Sequence, residues 1–578
     1  MIWLSKQIRY ISHLSPLGQV CLPILAAIVI ICHPQRHAVA QTSTPQSLEP
    51  GLIQERIRKP STTKPRSPTT KPSALPGIDQ KIDGIEHSFI LSGVEITGAS
   101  VFPAQAFTHL YESMLAQEVS TQSIEQLIKA IAAKYREDGY FLANASADAQ
   151  ELAFGILHIR ITEGIINKVT FQGDTAGRTD QLKRFADKIK SQPPARLARV
   201  ERYLQLIDDL PGVAADSGIQ PIDEDAGTYE LIITVEHSAT DGYASLDNRG
   251  TRSIGRYQAL LNGNLNSTLM DGGRTGLTLF TIPAAPRELG YAELNHSQTI
   301  GTEGLNISVS GSYSRIKAGG DFDDRDLKSR STRAALSISY PLIRSRERNL
   351  SISGSFDASN SRQKIDGERD FEDRVRTLRA GLSFDTTDDW GGQNFISTKV
   401  SKGLEIFDAS ERGVDTPSRT GGNEEFAKLT ASLSRRQKIT ERWALQASIA
   451  GQTSDQRLLS AEQFYLGGSG YGRAYDSGEI GGDDGAAGSV ELQYGEFLSL
   501  PYLDSYQFYG YYDFGIVWES PATDYIGSTS LSSAGGGVRI GITKSSFAGI
   551  EVAKPLTRTV SNEGDKGPRV FFYMLAGY

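Results

Sequence analysis

The residue with the clearest chemical potential is Arg473, the one basic residue in a stretch, residues 464–494, that also contains nine glycines. So much glycine cannot bury an apolar face of its own, so this stretch must be held in place by something outside itself. A guanidinium in confined surroundings is costly without an anion, and a carboxylate can grip it through two parallel hydrogen bonds. We therefore predict that Arg473 attaches this loop to an acidic residue of the surrounding structure.

Other residues that could support catalysis or bind a metal are dispersed. Five histidines follow the N-terminal region, and they are scattered along the chain: His87, His109, His158, His237 and His296. This spacing favours neither a histidine metal site nor a Ser-His pair. The acidic run 321–326 lacks the glycine and terminal glutamate of an EF-hand, and the glycines of 468–472 open no helix that could bind phosphate. We predict a protein that is not an enzyme and that uses no metal and no cofactor.

Residues 1–40 have the features of an export signal peptide. Lys6 and Arg9 precede an apolar run at 20–32, and an A-x-A cleavage site ends at Ala40. The run is shorter than the roughly 20 residues that a membrane-spanning helix needs, so cleavage is favoured over anchoring. Both cysteines of the chain lie before Ala40, so the processed protein is expected to have no thiol or disulfide chemistry.

A linker rich in Pro, Ser and Thr is predicted at residues 41–86, because its composition leaves almost nothing to bury. Within it, residues 51–58 could form a short amphipathic helix, which would be marginal alone and would need a host cavity to act as a plug.

The formal net charge of −8 gives no indication of nucleic-acid binding.

Two tandem α+β domains are predicted next, at residues 87–163 and 164–238. Each copy has the pattern of one strand, two helices and two further strands. In the first copy we expect helices at about 103–116 and 121–138. The second helix has one buried face, formed by residues at three- and four-residue spacing: Ile124, Leu127, Ile128, Ile131 and Tyr135. The strands of this copy are expected at 89–96, 141–147 and 155–161.

The turns of these two copies resemble those of the polypeptide-transport-associated (POTRA) domains of two-partner secretion transporters (TpsB, of the ShlB/FhaC/HecB type). The resemblance is carried by YREDGY at 135–140, GILHIRITEG at 155–164 and LQLIDDLPG at 204–212. It implies structural turn roles for Gly139, Tyr140, Glu163, Gly164, Pro211 and Gly212. Ala-Asp-Ala-Gln at 147–150 departs from the Pro-x-Gln that often follows in the family, which affects the detail of that turn.

From 239 to 578 the hydrophobic period changes to two. Leu305, Ile307 and Val309 alternate with Asn306, Ser308 and Ser310. About sixteen such segments, with one face for lipid and one for water, predict a transmembrane antiparallel β-barrel, because closure satisfies every backbone group in lipid. A soluble sandwich is the rival, but the export signal and the small polar inward residues argue against it. The aromatic C-terminus at Tyr578 resembles the assembly signal of bacterial outer-membrane proteins.

The loop with Arg473 falls between the eleventh and twelfth predicted strands, at residues 457–486. In the Omp85 superfamily, to which two-partner transporters belong, this loop enters the barrel with a tetrad resembling [VI]-R-G-[FY]. The tetrad here is Gly472, Arg473, Ala474 and Tyr475, so the arginine and the aromatic residue match. The resemblance supplies a partner motif, GYYDFG, on strand thirteen. This motif starts at Gly510 and ends at Gly515, and its Asp513 lies on the lumen side. It implies a loop-to-barrel clamp between Arg473 and Asp513.

The resemblance implies export of a partner exoprotein, haemolysin-like or adhesin-like, across the bacterial outer membrane, with the POTRA domains in the periplasm. The partners would be an unfolded client, outer-membrane lipid, and periplasmic chaperones and barrel-assembly machinery during biogenesis. An extended client could add to a sheet edge at 141–147 or 213–221. Two alternatives stay open: a barrel-assembly insertase of the same superfamily, and a passive porin. The identity of the client is not encoded in any motif of this chain.

Overall fold

The computed structural model describes residues 53, 88–147, 154–175, 178–411, 416–519 and 527–578. The predicted signal peptide lies outside the described residues, as does the predicted linker apart from Ile53. The turn at 147–150 is described only at its first residue. No helix within the described ranges is both long and apolar enough to cross a membrane.

The first domain is a small α+β unit. Its elements are β1 (Phe89–Ile90), β2 (Gly93–Thr97), α1 (Thr108–Tyr111), β3 (Glu118–Val119), α2 (Thr121–Glu137), β4 (Asn144–Ser146) and β5 (Ile156–Thr162). The main sheet has the order β2-β5-β4, and β1 pairs with β3. The buried face predicted for the second helix is confirmed on α2, where Ile124 and Tyr135 mark its two ends.

Two predicted elements of this domain are wrong in detail. The helix expected at 103–116 is interrupted, with 3-10 turns at Ala104–Phe107 and Glu112–Met114 on either side of α1. The chain must turn at Ala116, which has φ of 60°, so that β3 can pair with β1, and this pairing overrides helix continuation. The strand expected at 89–96 is split into β1 and β2, because the Ser92 amide donates to Gly155 O (2.7 Å).

The second domain has the predicted order of one strand, two helices and two further strands. Its elements are β6 (Ile165–Gly173), α3 (Thr179–Lys190), α4 (Leu197–Asp208), β7 (Val213–Asp223) and β8 (Thr228–His237). The sheet order is β6-β8-β7, with β6 parallel and β7 antiparallel to β8. The last strand of each domain is therefore central, which leaves β4 and β7 at sheet edges.

Sixteen antiparallel strands then form a closed barrel. They are β9 (Thr240–Asp247), β10 (Gln258–Asn266), β11 (Gly273–Thr281), β12 (Leu289–Ile300), β13 (Leu305–Lys317), β14 (Lys328–Arg344), β15 (Arg348–Ile365), β16 (Glu368–Thr387), β17 (Gly392–Gly403), β18 (Ala427–Lys438), β19 (Trp443–Ser454), β22 (Asp484–Leu500), β23 (Leu503–Trp518), β24 (Ser528–Gly541), β25 (Phe547–Pro555) and β26 (Arg569–Gly577). The barrel closes where β26 pairs with β9. The predicted class, α+β repeats followed by a barrel of about sixteen strands, is confirmed.

The alternation of side chains defines the two faces of the barrel wall. Apolar residues such as Val309, Leu336 and Ile338 are about half exposed on the outside, at 56%, 52% and 47%. Their chain neighbours, such as Ser308 and Ser337, lie on the inner face, and these two serines are cross-strand partners. The outer face thus suits lipid and the inner face suits water.

Ile53 is the one described residue of the predicted short helix 51–58. It is fully buried and packs in a cluster with Leu260, Phe280 and Tyr291. These residues face inward, because the next residue of β10, Leu261, is 56% exposed on the outer face. Ile53 therefore contacts the inner wall of the barrel.

The second domain contacts the barrel at the ends of β12 and β14. Arg344 of β14 makes a two-pronged ion pair with Asp209, with both oxygens at 2.7 Å. Arg202 of α4 donates to the carbonyl oxygens of Pro341 (3.2 Å) and Glu303 (3.3 Å). These contacts mark the strand ends that face the second domain, and the opposite ends carry the long loops.

Glu163, at the end of the first domain, joins three of its segments. Its carboxylate accepts from the amides of Ser100 (2.7 Å) and Val101 (2.8 Å) and from the hydroxyl of Tyr135 (2.8 Å). Burial raises the pKa of Glu163, but a hydrogen bond from the Ser100 hydroxyl, together with the three named above, outweighs burial and holds the pKa below its ordinary value. Because the folded-state pKa is lowered, this stabilisation is present above the unfolded pKa of about 4.3 and is lost as the pH falls through the folded value.

We expect Glu163→Ala to destabilise the first domain by about 1–3 kcal/mol, because the buried Tyr135 hydroxyl loses its acceptor. Hydrogen exchange of the α2 amides in the full-length protein at pH 7 measures the effect. Glu118→Ala is the matched control, since Glu118 is exposed and accepts from the Ser88 hydroxyl at the surface. Equal protection of α2 in the Glu163 variant and the parent would contradict the assigned role.

Candidate functional site

The loop between β19 and β22 lies inside the barrel, and Arg473 is bonded to its wall. Arg473 Nε and Nη2 donate to the two carboxylate oxygens of Asp513, each at 3.0 Å, and the Arg473 amide also donates to Asp513 at 3.0 Å. Arg473 is 7% exposed and Asp513 is fully buried. The structure thus brings together the two residues of the predicted clamp, in the two-pronged geometry that a guanidinium and a carboxylate allow.

A second carboxylate takes part in this network. Arg473 Nη1 donates to Glu491 of β22 at 2.5 Å, and Arg539 of β24 donates to the same carboxylate at 2.6 Å and 3.1 Å. The guanidinium of Arg473 also lies 3.3 Å from the ring centroid of Tyr511, a cation–π contact. Two arginines therefore face two buried carboxylates, which leaves the cluster balanced in charge.

The residues after Arg473 extend the attachment around the barrel. Ala474 and Tyr475 are buried, and the Tyr475 hydroxyl donates to Ser532 O on β24 (3.1 Å). Arg569 of β26 donates to Ala474 O (2.9 Å) and to the carboxylate of Asp476 (2.7 Å). The tetrad is thus held by β22, β23, β24 and β26 together.

Two glycines of the predicted motifs are needed for this close approach. Gly472 has φ of 83°, and a Cβ there would lie 2.5 Å from Leu531 Cδ1. At Gly515 a Cβ would lie 2.5 Å from Leu466 Cδ1, on the loop. Gly510 has no comparable contact, since the nearest atom to a Cβ would be 3.9 Å away. Gly472 and Gly515 therefore let the loop lie directly against the wall.

The loop is fixed at its base as well. It contains a short hairpin of β20 (Phe464–Leu466) and β21 (Ile480–Gly482). Before β20, the buried Glu462 pairs with Arg379 of β16 (2.6 Å) and Lys428 of β18 (2.7 Å). After β21, the fully buried Asp483 pairs with Arg419 at 2.5 Å. The loop is thus attached to both halves of the barrel wall.

Glu491, Glu462 and Asp483 were not singled out from the sequence. Polar residues alternate with Val490 and Leu492 along β22, and this alternation would have placed Glu491 on the inner face. Glu462 precedes the loop hairpin and Asp483 follows it. The partners of both residues lie far away in the chain. No local pattern identifies such a pair.

The structure places the predicted POTRA turn residues at tight turns. Gly139, Gly164 and Gly212 all have positive φ, of 88°, 68° and 71°. A Cβ on Gly164 would lie 2.5 Å from Leu142 O, and one on Gly212 would lie 2.2 Å from Ser238 O.

The other predicted structural positions have local partners too. Pro211 accepts a hydrogen bond from Arg178 (3.1 Å), and Tyr140 packs edge-on against Tyr135. The Tyr578 amide donates to Gly242 O (3.1 Å), beside the closing seam of the barrel, while its side chain is 77% exposed. Among the described residues there is no group of His, Cys, Asp and Glu arranged to hold a metal ion.

Comparisons with known proteins agree with this architecture. The family model for the haemolysin secretion/activation protein ShlB/FhaC/HecB matches residues 227–540, and the ShlB-type POTRA domain model matches residues 89–164. The chain is 24% identical to the heme/hemopexin transporter protein HuxB of Haemophilus influenzae (strain 86-028NP) over 464 residues, which cover 78% of this chain and 81% of HuxB. It is 23% identical to the outer membrane transporter CdiB of Escherichia coli, with coverage of 78% and 76%.

Solved structures show the same fold. CdiB from Escherichia coli superposes with a TM-score of 0.68 at 18% identity, covering 98% of this chain and 99% of that chain. CdiB from Acinetobacter baumannii gives a TM-score of 0.59 at 16% identity, covering 86% and 91%. The match of the family model to more than half of the sequence determines the family. The chain belongs to the haemolysin secretion/activation family ShlB/FhaC/HecB, and it is a two-partner secretion transporter of the outer membrane with its POTRA region in the periplasm.

Proposed function

We propose that this transporter captures an unfolded, haemolysin-like or adhesin-like client on its POTRA sheet edges and passes it through the barrel past an ionically clamped loop. The observation that carries the proposal is the buried network of Arg473, Asp513 and Glu491 inside a closed barrel. The network binds a loop rather than a substrate, and we assign it no catalytic step. Export would then draw on folding of the client outside the cell.

The attachment of the loop supports a role for it in shaping the conduit. Its tetrad is held against β22–β24 and β26, and Glu462 connects its base to β16 and β18. A loop held at several points occupies a defined part of the lumen and leaves the rest available. The buried Ile53 at the inner wall supports a further part of the proposal, in which the predicted segment 51–58 acts as a plug that must move before a client passes.

The POTRA edges support the capture step. β7 pairs with β8 on one side, and its other side is a sheet edge. Such an edge offers main-chain hydrogen bonds to an extended client with little demand on its sequence. The edge begins at Val213, next to the contacts of Asp209 with Arg344 at the barrel, so a client on β7 would lie beside the barrel end. β4 offers a second, shorter edge.

Periplasmic chaperones and the barrel-assembly machinery would act on the transporter itself during its biogenesis.

We expect Arg473→Ala to impair export strongly and to make the loop sensitive to protease. Removing one partner leaves Asp513 buried without its cation, which costs about 3–5 kcal/mol. Client export from cells and limited proteolysis of the purified protein are the measurements. Arg539→Ala is the matched control, because it removes a cation from Glu491 while the Arg473–Asp513 pair stays intact. Normal export with unchanged protease resistance in the Arg473 variant would refute the clamp.

A double-mutant cycle measures the interaction energy between Arg473 and Asp513 apart from their other contacts. We expect the Arg473→Ala, Asp513→Ala double variant to be less destabilised than the sum of the two single variants, because no buried charge of the pair is left uncompensated. Thermal unfolding of the detergent-solubilised barrel gives the change in stability for each single variant and for the double variant. Additive effects would mean that the two side chains act independently.

Capture on β7 predicts a gradient of photo-crosslinking across the second POTRA sheet. Gln172, Thr234 and Asp216 form one cross-strand row on β6, β8 and β7, and all three side chains are exposed. A photo-reactive residue should trap a stalled client most at 216, less at 234 and least at 172, because neighbouring strands lie about 4.8 Å apart. Equal yields, or a maximum at 172, would exclude β7 as the capture edge.

A further inference from the structure

Five exposed cations form a continuous patch on the outer surface of the barrel, at the ends of β13, β14 and β15 that lie away from the POTRA domains. This basic patch consists of Arg315, Lys317, Arg330, Arg362 and Lys364. It lies outside the lumen and has no part in the loop attachment or in the contacts between the second domain and the barrel.

The strand register places these cations side by side. Arg315 is the direct cross-strand partner of Arg330, and Arg330 is the partner of Arg362. In the adjacent row, Lys328 lies between the two lysines of the patch. Neighbouring strands are about 4.8 Å apart, so the row of three arginines spans only about 10 Å.

The basic patch lies at the edge of the lipid-facing band. On β13, Val309 and Tyr313 precede Arg315 on the same face and are 56% and 44% exposed. On β14, Leu336 is 52% exposed on the face that continues to Arg330. Aromatic residues such as Tyr313 mark the membrane interface of outer-membrane barrels. The patch therefore lies at the level of the head groups of the outer leaflet.

The acids of the chain neutralise this patch only in part. Like charges directly opposite each other on neighbouring strands are destabilising. Across the described side chains, none of the five patch residues makes an ion pair. Asp326 pairs with Lys328 (2.5 Å) and also interacts electrostatically with Lys317. Glu372 is the direct cross-strand partner of Arg362, but its ion pairs are with Arg369 (3.3 Å) and Arg374 (3.8 Å). The row thus has the geometry of a site whose anion comes from outside the chain.

We infer that the basic patch binds the phosphate groups of lipopolysaccharide in the outer leaflet. A guanidinium holds phosphate through two hydrogen bonds, and three adjacent arginines suit a ligand with more than one phosphate. The acyl chains of the same lipid would lie against the apolar band below the patch. Such binding fixes the height of this part of the wall in the membrane. The inference goes beyond the proposed export function, since it concerns the outer face of the barrel.

Titration of the purified full-length protein in detergent with lipopolysaccharide tests this site. We expect the triple variant Arg315→Gln, Arg330→Gln, Arg362→Gln to bind about tenfold or more weakly than the parent, because each cation near an anionic lipid surface contributes measurably. The matched control removes the same charge from exposed residues at the POTRA-side strand ends: Arg348→Gln, Lys438→Gln and Arg442→Gln. This control should bind as the parent does.

Dephosphorylated lipopolysaccharide and inorganic pyrophosphate separate the possible sources of the anion. Weak binding of the dephosphorylated lipid, together with weak binding of free pyrophosphate, supports a lipid phosphate site. Equal affinity for both lipids, equal loss in the control, or pyrophosphate binding as tight as that of the lipid would overturn it. Arg→Lys replacement at the same three positions should bind more tightly than the glutamine variant, because the charge remains, and more weakly than the parent, because the two-pronged contact is lost. This intermediate affinity guards against a folding defect. Client export is not the readout, so failure here leaves the export proposal untouched.

Discussion

The pairing of Arg473 with Asp513 is the interaction on which the interior of this barrel depends. A chain that crosses lipid in strands must close on itself, because lipid offers no partner to a free backbone group. With sixteen strands, closure creates a lumen too wide for the wall residues to fill. A glycine-rich loop can fill part of it only if something holds the loop in place. The buried ion pair does this, and its cost of desolvation is offset because each of the three guanidinium nitrogens donates at least one hydrogen bond.

The same loop depends on glycines where the backbone approaches the wall. Gly472 turns the chain with a positive φ immediately before Arg473, and Gly515 leaves space for Leu466 beside the strand that contains Asp513. A side chain at either position would push the loop away from the wall and lengthen the ionic contact. The high glycine content would leave the isolated stretch flexible, and the same glycine content allows it to pack closely against the wall. Order in this segment comes from its anchors and not from its own propensity.

Much of this arrangement follows from local pattern. Period-two alternation predicts the sixteen strands and the place of the loop between the eleventh and twelfth, and family resemblance supplies Asp513. The interruption of the predicted helix 103–116 was not foreseen, because it depends on β3 pairing with β1 across nearly thirty residues. Glu462 was missed for a similar reason, since its partners Arg379 and Lys428 precede it by tens of residues. Both of these features depend on contacts between residues far apart in the chain, which no local pattern identifies.

The inner and outer faces of the barrel handle charge in opposite ways, and desolvation explains why. Inside, Asp513, Glu491 and Glu462 are each bound by at least one cation of the chain, because a buried carboxylate without a partner would be strongly destabilising. Outside, the arginines of the basic patch stay hydrated and need no internal partner to be tolerated. Three of them aligned on neighbouring strands still repel one another. The head-group layer of the outer membrane supplies anions at the height where the patch lies, and these would relieve the repulsion.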